Sequence, residues 1–212
     1  FNKHKVGTIY KGHDMQWYNT VQPKSRRELG VPEDAFVVGI RANARLMKGV
    51  RYFIQAADYL QDYRRIHFIM IGRNMDHPDY MDMIERSPMK SHFHVLGFRS
   101  DTLEIMAAAD AGVLSSIKGE GLSKTTIEAM SLRKPVIATR IGGNPELVLH
   151  EQTGLLVPPK NPRAIAESIK RLHDRPQWAR QLGENARKHV EENFRLEHTV
   201  SQTMQLYKDL LE

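Results

Sequence analysis

Two glutamates with seven residues between them, Glu120 and Glu128, are the side chains of this 212-residue chain best placed for chemistry. They lie in the segment 119–130, GEGLSKTTIEAM, where Gly119 and Gly121 allow the backbone torsions of a tight strand-to-helix turn. Carboxylates are hydrogen-bond acceptors for hydroxyl groups, and a pair of them can also serve as acid and nucleophile. The segment therefore predicts two acids beside the start of a helix.

Ser123 is the predicted cap of that helix. Its hydroxyl can satisfy one backbone amide, and the remaining first-turn amides together with the helix dipole form a site that suits a phosphate. Glu128 follows one turn later between Ile127 and Ala129, which predicts burial. A buried carboxylate needs hydrogen-bond donors, and two adjacent sugar hydroxyls would supply them.

Short apolar runs alternate with amphipathic stretches along the chain, which is typical of a parallel sheet flanked by helices. The predicted fold class is therefore α/β, with a Rossmann-like parallel sheet of about six strands and a helical C-terminal extension. Strands are predicted at 35–42, 66–72, 93–98, 111–115, 135–139 and 154–159. Helices are predicted at 49–60, 78–86, 100–109, 123–132, 144–149, 161–174, 177–192 and 196–211, with Asn144 as the cap of the fifth.

Ligands of open parallel sheets bind beyond the carboxyl ends of the strands, so the loops there are the candidate sites. After the first strand, Lys48 stands where a helix begins and could meet a diphosphate as a compact charge. Arg45 offers a planar fork in the same loop, and Arg41 is a further candidate, although either one alone is as readily a surface charge. Gly72 would let the backbone approach a ligand after the second strand.

An ordered string of blocks carries a family resemblance: Glu-x7-Glu with Ala-Met, then PVIAT, GGNPE and TGLLV, all within residues 120–157. It is similar to the C-terminal, donor-binding domain of GT-B fold, retaining glycosyltransferases of group 1 (family 4), and the similarity extends along nearly the whole chain. The resemblance implies a two-domain enzyme that transfers a sugar from a nucleoside-diphosphate sugar, with UDP-sugar the expected donor, to a glycan or lipid-linked acceptor. The expected organisation is an N-terminal arm or linker at 1–35, the nucleotide-sugar-binding domain at 36–193 and a crossover helix at 194–212.

The resemblance also implies roles for individual residues. Glu128 would bind the ribose diol, Glu120 would contact the donor sugar near its reacting end, and Lys48 would bind the diphosphate. Alignment on Lys48 places Asn43 where most of the family carries an arginine, so Arg45 is the candidate to fill that role. The implied catalytic residues are Glu120, Lys48 and Arg45. The implied donor-binding residues are Glu128, Lys48, Asn43, Gly72, Gly97, Phe98, Gly121, Leu122, Ser123, Lys124 and Thr125, of which Gly97 and Phe98 would lie near the nucleobase.

Composition limits the remaining function classes. The chain has no cysteine, which excludes thiolate chemistry, and no apolar run approaches the roughly 20 residues that cross a bilayer. Its net charge of +6 favours acidic partners such as phosphorylated substrates or an anionic membrane face. A cytoplasmic location, with peripheral association with the inner face of a membrane, is therefore expected for a polysaccharide or lipopolysaccharide enzyme, without a nucleic-acid partner.

No metal or cofactor is predicted. His92 and His94 are expected to share one strand face, but no third ligand accompanies them in sequence, which favours a structural role.

Two other function classes fit some of the same residues. A glycosidase could use Glu120 and Glu128 as acid and nucleophile, and would need no diphosphate-binding lysine. A module that binds a nucleotide or phosphosugar without turnover is the second, because the acceptor-binding domain is expected to lie outside this chain, and the isolated chain is therefore expected to be inactive in transfer.

Overall fold

The computed structural model describes residues 7–211, which form a six-stranded parallel sheet flanked by helices. The strands are β1 (Phe36–Arg41), β2 (Ile66–Ile71), β3 (Phe93–Gly97), β4 (Ala111–Leu114), β5 (Val136–Thr139) and β6 (Gly154–Val157). Within the described residues the helices are α1 (Met15–Asn19), α2 (Val50–Asp58), α3 (Pro78–Glu85), α4 (Thr102–Ala108), α5 (Lys124–Ser131), α6 (Asn144–Leu147), α7 (Pro162–Asp174), α8 (Pro176–Asn193) and α9 (Leu196–Leu211). The predicted α/β class is confirmed.

The strand order is β3-β2-β1-β4-β5-β6, so the sheet grows in one direction from β1 and then in the other from β4. Val38, Gly39 and Ile40 of β1 pair in parallel with residues 111–113 of β4. The order reverses between these two strands. Loops that leave their carboxyl ends diverge to opposite faces of the sheet, which opens a crevice between them.

Alternating side chains of β1 supply the two faces of the core. Val38 and Ile40 pack with Phe53 of α2 and Phe68 of β2, whose rings meet edge to face at 5.7 Å. Val37 points to the opposite face, towards α4. Because helices cover both faces, every residue of β2 is buried, which explains its apolar sequence, interrupted by His67 alone.

Part of the segment predicted as an N-terminal arm packs against the sheet. Arg26 donates to the carbonyl oxygens of Ala35 at 2.7 Å and Glu33 at 2.9 Å, and its guanidinium pairs with Asp110 at 2.9 Å. Leu29 and Val31 of the same segment are buried against β1 and β2. Where the domains of the whole protein divide stays a prediction.

Arg187 of α8 holds the N-terminal helix in place. Its side chain is 4% exposed, and it donates to the carbonyl oxygens of Ser131 at 2.7 Å and Met15 at 2.9 Å. It also donates to the Asn19 side chain and to Glu191. One guanidinium therefore satisfies acceptors from α1, the end of α5 and α8.

We expect Arg187→Met to lower the free energy of unfolding by about 3 kcal/mol, because it leaves buried carbonyl oxygens without a donor. Urea denaturation would measure the change. Arg180→Met is the matched control, since Arg180 is an exposed arginine of the same helix. Equal stability of the two variants would contradict the role assigned to Arg187.

Helix α9 lies against the rest of the structure mainly through its first turn. Thr199 accepts a hydrogen bond from the amide of Gly12 at 2.6 Å and donates to the carbonyl of Tyr10 at 2.7 Å. The apolar residues of the helix that remain exposed are Leu196, Val200, Met204, Leu206, Tyr207, Leu210 and Leu211. Its expected role as a crossover helix stays a prediction.

Two local sequence predictions need correction. His92 does not share a strand face with His94, because it ends a 3₁₀ turn, Lys90–His92, before β3 begins. Asn144 is not the cap of α6. Gly143 occupies that position, and buried Asn144 is the first helical residue, where its Nδ2 donates to the Thr139 carbonyl at 2.8 Å.

Three histidines meet at the β2–β3 edge of the sheet. His67 of β2 hydrogen-bonds through Nδ1 to Nε2 of His94 at 3.0 Å, and its ring lies 4.7 Å from that of His92. Burial, with the neighbouring His92 and His94 rings, lowers the pKa of His67 to about 4, and burial also lowers the pKa of His94. Asp34 acts weakly in the opposite direction on His67.

A histidine whose folded-state pKa is about 4 opposes folding in acid, because the unfolded chain takes up its proton near pH 6.5 and the folded chain does not. The contribution of His67 to the free energy of unfolding is therefore fully present above about pH 6.5, and it is lost as the pH falls towards 4. We expect His67→Gln, which keeps a hydrogen-bonding side chain but does not titrate, to lose less stability over that interval than the native chain. Urea denaturation at a series of pH values measures this.

The matched control for this pH series is His198→Gln, a partly exposed histidine in the first turn of α9. A native pH profile in His67→Gln would show that another group controls acid stability.

Within residues 7–211, none of the helices combines the length and the hydropathy needed to cross a bilayer. The same residues contain no group of three or more His, Cys, Asp or Glu side chains arranged to hold a metal ion.

Candidate functional site

A cleft of about 480 Å³ opens at the carboxyl ends of β1 and β4, where the strand order reverses. It lies between the loop that follows β1 and the segment that leads from β4 into α5. Its lining residues are Arg41, Ala42, Asn43, Arg45, Met47, Lys48, Gly119, Glu120, Leu122, Ser123, Lys124 and Thr125. Residues far apart in sequence thus form one concave surface at the position where open parallel sheets bind ligands.

Lys48 is positioned by close packing between the two loops. It ends the 3₁₀ turn Leu46–Lys48, and Gly49 follows with a φ of +62°. A Cβ at Gly49 would lie 2.1 Å from the carbonyl oxygen of Ser115, so glycine is needed for both torsion and space. The Ser115 hydroxyl donates to the Lys48 carbonyl at 3.1 Å, and the amide of Ile117 donates to the Met47 carbonyl at 2.8 Å. These contacts fix the backbone from which Lys48 projects.

Glu120 lies opposite Lys48. Its carboxylate is 2.6 Å from Lys48 Nζ and accepts a hydrogen bond from buried Ser116, and only 6% of its side chain is exposed. The Gly142–Gly143 pair supports the backbone behind it, since the Gly143 amide donates to the Glu120 carbonyl at 3.3 Å. Close packing explains both glycines, because a Cβ at Gly142 would lie 1.9 Å from the Glu120 carbonyl oxygen and one at Gly143 would lie 2.9 Å from the Gly121 carbonyl oxygen.

We expect Gly142→Ala to destabilise the fold by more than about 1 kcal/mol, because the added Cβ meets the Glu120 backbone and the φ of +49° disfavours alanine. Urea denaturation measures the effect. Gly121→Ala is the control, since among the described residues its Cβ would meet no atom within 4 Å. A wild-type midpoint for Gly142→Ala would show that the loop behind Glu120 can move freely.

Helix α5 begins at the cleft with the predicted cap. Ser123 Oγ accepts from the amide of Thr126 at 3.4 Å, while the preceding amides of Lys124 and Thr125 come before the first hydrogen-bonded turn. Such amides carry the positive end of the helix dipole. The start of α5 is therefore a suitable place for an anionic group.

Glu128 lies one turn deeper in α5 and its side chain is 4% exposed. Arg41, the last residue of β1, donates from Nη1 to Glu128 Oε2. Lys124 Nζ is 3.6 Å from the other carboxylate oxygen, but that lysine side chain is 68% exposed. Arg41 is thus the partly buried cation that neutralises Glu128.

A smaller pocket of about 170 Å³ adjoins the cleft on the side of Arg41. It is lined by Arg41, Ala42, Asn43, Gly72, Phe98, Arg99, Thr102 and Thr125. Gly72 has a φ of +133°, and its Cβ would lie 2.0 Å from the Ala42 carbonyl oxygen, so only glycine fits. Phe98 is 68% exposed, and the guanidinium of Arg73 lies 4.9 Å from its ring centre.

Arg99, in the same pocket, is already paired. Its Nε and Nη2 donate to the two oxygens of Asp101 at 2.7 and 2.6 Å, and these bonds lower the pKa of Asp101 to about 2. Asn43 and Arg45 differ from it. Both are exposed at the cleft, and among the described residues neither makes a side-chain hydrogen bond or ion pair.

Most of the residues implied by the family resemblance come together here. Those lining the cleft or the adjoining pocket are Asn43, Arg45, Lys48, Gly72, Phe98, Glu120, Leu122, Ser123, Lys124 and Thr125. Gly121 follows Glu120 in the chain without lining either space, and the Gly97 carbonyl accepts from the Gly72 amide at 2.8 Å. Arg41 is the residue whose place the sequence left open, and only its position at the end of β1 could have pointed to it.

Positive charge predominates in the cleft. Four cationic side chains, Arg41, Arg45, Lys48 and Lys124, line it with one carboxylate, Glu120, and Glu128 lies beneath. Fixed donors of this kind stabilise an anionic ligand and any negative charge that develops on it.

Sequence comparison identifies the family to which this site belongs. The family model described as "Glycosyl transferases group 1" matches residues 21–189. The chain belongs to the group 1 glycosyltransferases. The predicted resemblance to a GT-B donor-binding domain is thereby confirmed, and the α/β sheet agrees with it.

Curated relatives extend the comparison. The chain is 27% identical over 207 residues to the N-acetyl-alpha-D-glucosaminyl L-malate synthase of Bacillus anthracis, with 97% of this chain and 54% of that protein aligned. It is 29% identical over 220 residues to the D-inositol 3-phosphate glycosyltransferase of Corynebacterium glutamicum, with 98% and 52% aligned. The chain therefore spans about half the length of these relatives.

Among solved structures, HepE of Anabaena in complex with UDP superposes with a TM-score of 0.88 at 26% identity, over 96% of this chain and 57% of HepE. The match to HepE in complex with UDP-glucose has a TM-score of 0.85 at 27% identity, and it covers 96% of this chain and 57% of HepE.

Proposed function

We propose that this chain is the donor-binding domain of a retaining glycosyltransferase that uses a nucleoside-diphosphate sugar, with a UDP-sugar as donor. The observation that carries the proposal is the cleft itself, in which Lys48, Arg45 and the start of α5 surround one space beside buried Glu128. HepE, a relative of similar fold, has been solved with UDP and with UDP-glucose, which supports the same ligand class here.

The charges of the cleft determine how the nucleoside-diphosphate sugar is placed in this proposal. The diphosphate lies between Lys48 Nζ, the Arg45 guanidinium and the amides that start α5, because these groups are the cationic donors of the cleft. The ribose diol donates to Glu128. The nucleobase enters the adjoining pocket, where Phe98 offers an exposed flat ring and Gly72 removes side-chain bulk.

Catalysis in this proposal is stabilisation of the leaving diphosphate. The bond between the anomeric carbon and the diphosphate oxygen breaks as the acceptor hydroxyl oxygen bonds to that carbon on the same face, and the hydroxyl proton passes to the departing diphosphate oxygen. Lys48 and Arg45 stabilise the charge that builds on the diphosphate, and each such preorganised donor is worth about 2.7–4 kcal/mol. Positive charge from the protein itself makes the proposed step metal-independent. Glu120, fixed by Lys48 and Ser116, contacts the donor sugar.

The acceptor is proposed to bind in a part of the enzyme that the matched relatives possess and this chain does not cover, since the chain spans about half of their length. A two-substrate reaction gains roughly 7–11 kcal/mol from holding both reactants in one cleft, and this chain supplies one wall. The isolated chain is therefore proposed to bind donor without transferring sugar. Polysaccharide or lipopolysaccharide synthesis at the cytoplasmic face of a membrane is the proposed setting.

The cleft favours this proposal over the other function classes. A glycosidase acts on an uncharged sugar, for which four cationic side chains in the cleft have no use, and both its candidate acids are held in ion pairs. A binding module without turnover would make the same nucleotide contacts, so nucleotide binding is expected for both function classes.

We expect Lys48→Ala to weaken UDP binding about 10- to 100-fold and to leave uridine binding unchanged, because the lysine donates to the diphosphate alone. Isothermal titration calorimetry would measure both ligands. In a thermal-shift assay, UDP at about 100 times its dissociation constant should add about 2.7 kcal/mol of stability to the native chain.

Lys208→Ala, on exposed helix α9, is the control for the change of net charge. Equal stabilisation of the native chain by UDP and uridine, repeated for the other bases, would remove the diphosphate site from the proposal.

A further inference from the structure

Arg41 occupies a position that the proposed catalytic scheme does not use. It ends β1 at the point of strand-order reversal, and it lines both the 480 Å³ cleft and the adjoining 170 Å³ pocket. Its guanidinium donates from Nη1 to Glu128, and 24% of its side chain is exposed. In the proposed pose the residue therefore stands between the ribose and the base.

Arg41 is the cation that pairs with Glu128 and orients its carboxylate. A carboxylate that is 4% exposed is strongly unfavourable without a partner, and highly exposed Lys124 is a weak one. A carboxylate has about four acceptor sites, so Glu128 can keep Arg41 on Oε2 while its remaining sites accept from a ribose diol. Ligand binding thus does not require the ion pair to break.

The Arg41 guanidinium has N–H donors that no described residue accepts from. Arginine carries five N–H donors in a planar fork, and among the described residues Arg41 uses Nη1 on Glu128 alone. Arg99, the other cation of the smaller pocket, is committed to Asp101 through Nε and Nη2. Arg99 thus uses two of its five N–H donors and Arg41 uses one, so Arg41 keeps the larger number of unused donors beside that pocket.

We propose that Arg41 both orients Glu128 for the ribose diol and donates to a carbonyl oxygen of the nucleobase, which selects uracil or guanine over adenine. The inference rests on the proposed nucleotide-binding function. Uracil and guanine present carbonyl acceptors to a guanidinium, whereas adenine presents an amino donor in place of guanine's carbonyl. A donor facing a cation leaves both groups without a partner, so the site discriminates against it.

The test compares UDP, GDP, ADP and 2′-deoxy-UDP by isothermal titration calorimetry on the whole chain. The native chain should bind UDP or GDP about tenfold or more tightly than ADP, and UDP more tightly than 2′-deoxy-UDP. Arg41→Lys keeps a cation beside Glu128 but loses the planar fork, so the preference over ADP should fall towards unity while UDP still binds.

Lys48→Ala is the matched comparison, because it should weaken UDP, GDP and ADP by the same factor and keep their ratio. Arg41→Met should also reduce the penalty for 2′-deoxy-UDP, since Glu128 loses its orienting partner. The double variant Arg41→Met with Glu128→Gln removes the ion pair without leaving a lone buried charge. It should be more thermally stable than Arg41→Met alone, which separates the effect of Arg41 on folding from its effect on binding.

Two results would separate failure of this inference from failure of the proposed function. An unchanged preference over ADP in Arg41→Lys, with UDP still bound, would overturn the role of Arg41 alone. Absence of binding by the native chain to every nucleoside diphosphate would overturn the nucleotide site itself.

Discussion

Parallel pairing of β1 with β4 is the constraint on which the rest of this structure depends. It sets two segments that are distant in sequence, residues 42–49 and 115–123, side by side at the carboxyl end of the sheet. Backbone contacts then lock them together: Gly49 lies against Ser115, and the Ile117 amide bonds to Met47. The crevice is therefore a product of topology, and the backbone that carries its lining side chains is held by packing before any ligand arrives.

The buried carboxylates of the cleft are held in ion pairs, which stabilise the fold and also position the charges that face a ligand. Two carboxylates of low exposure, Glu120 and Glu128, would oppose folding without cations beside them. Lys48 and Arg41 supply those cations from the β1 side of the crevice. The cleft nevertheless keeps an excess of positive charge, because Arg45 and Lys124 also line it. Preorganised charge of this kind needs little rearrangement when an anionic ligand binds.

Stability of the site depends on elements distant from it. Arg187 links α1, α5 and α8, and so fixes the helix whose start forms one wall of the cleft. The Gly142–Gly143 loop after β5 supports the Glu120 backbone from behind. The apolar side of α9, by contrast, is exposed in the described residues, and the helix is held mainly through Thr199.

The sequence by itself determined the elements and much of the site. Apolar runs marked all six strands, Ser123 marked the start of α5, and the neighbours of Glu128 indicated its burial, because these signals are local in the chain. Only the tertiary structure decided the pairing of Arg41 with Glu128, the support of Glu120 by Gly142 and the contact of His67 with His92 and His94. It also moved the α6 cap from Asn144 to Gly143, since a buried bond to Thr139 holds the asparagine. The reason is physical: periodicity reports which face of an element is apolar, whereas strand order and register decide which distant side chains meet.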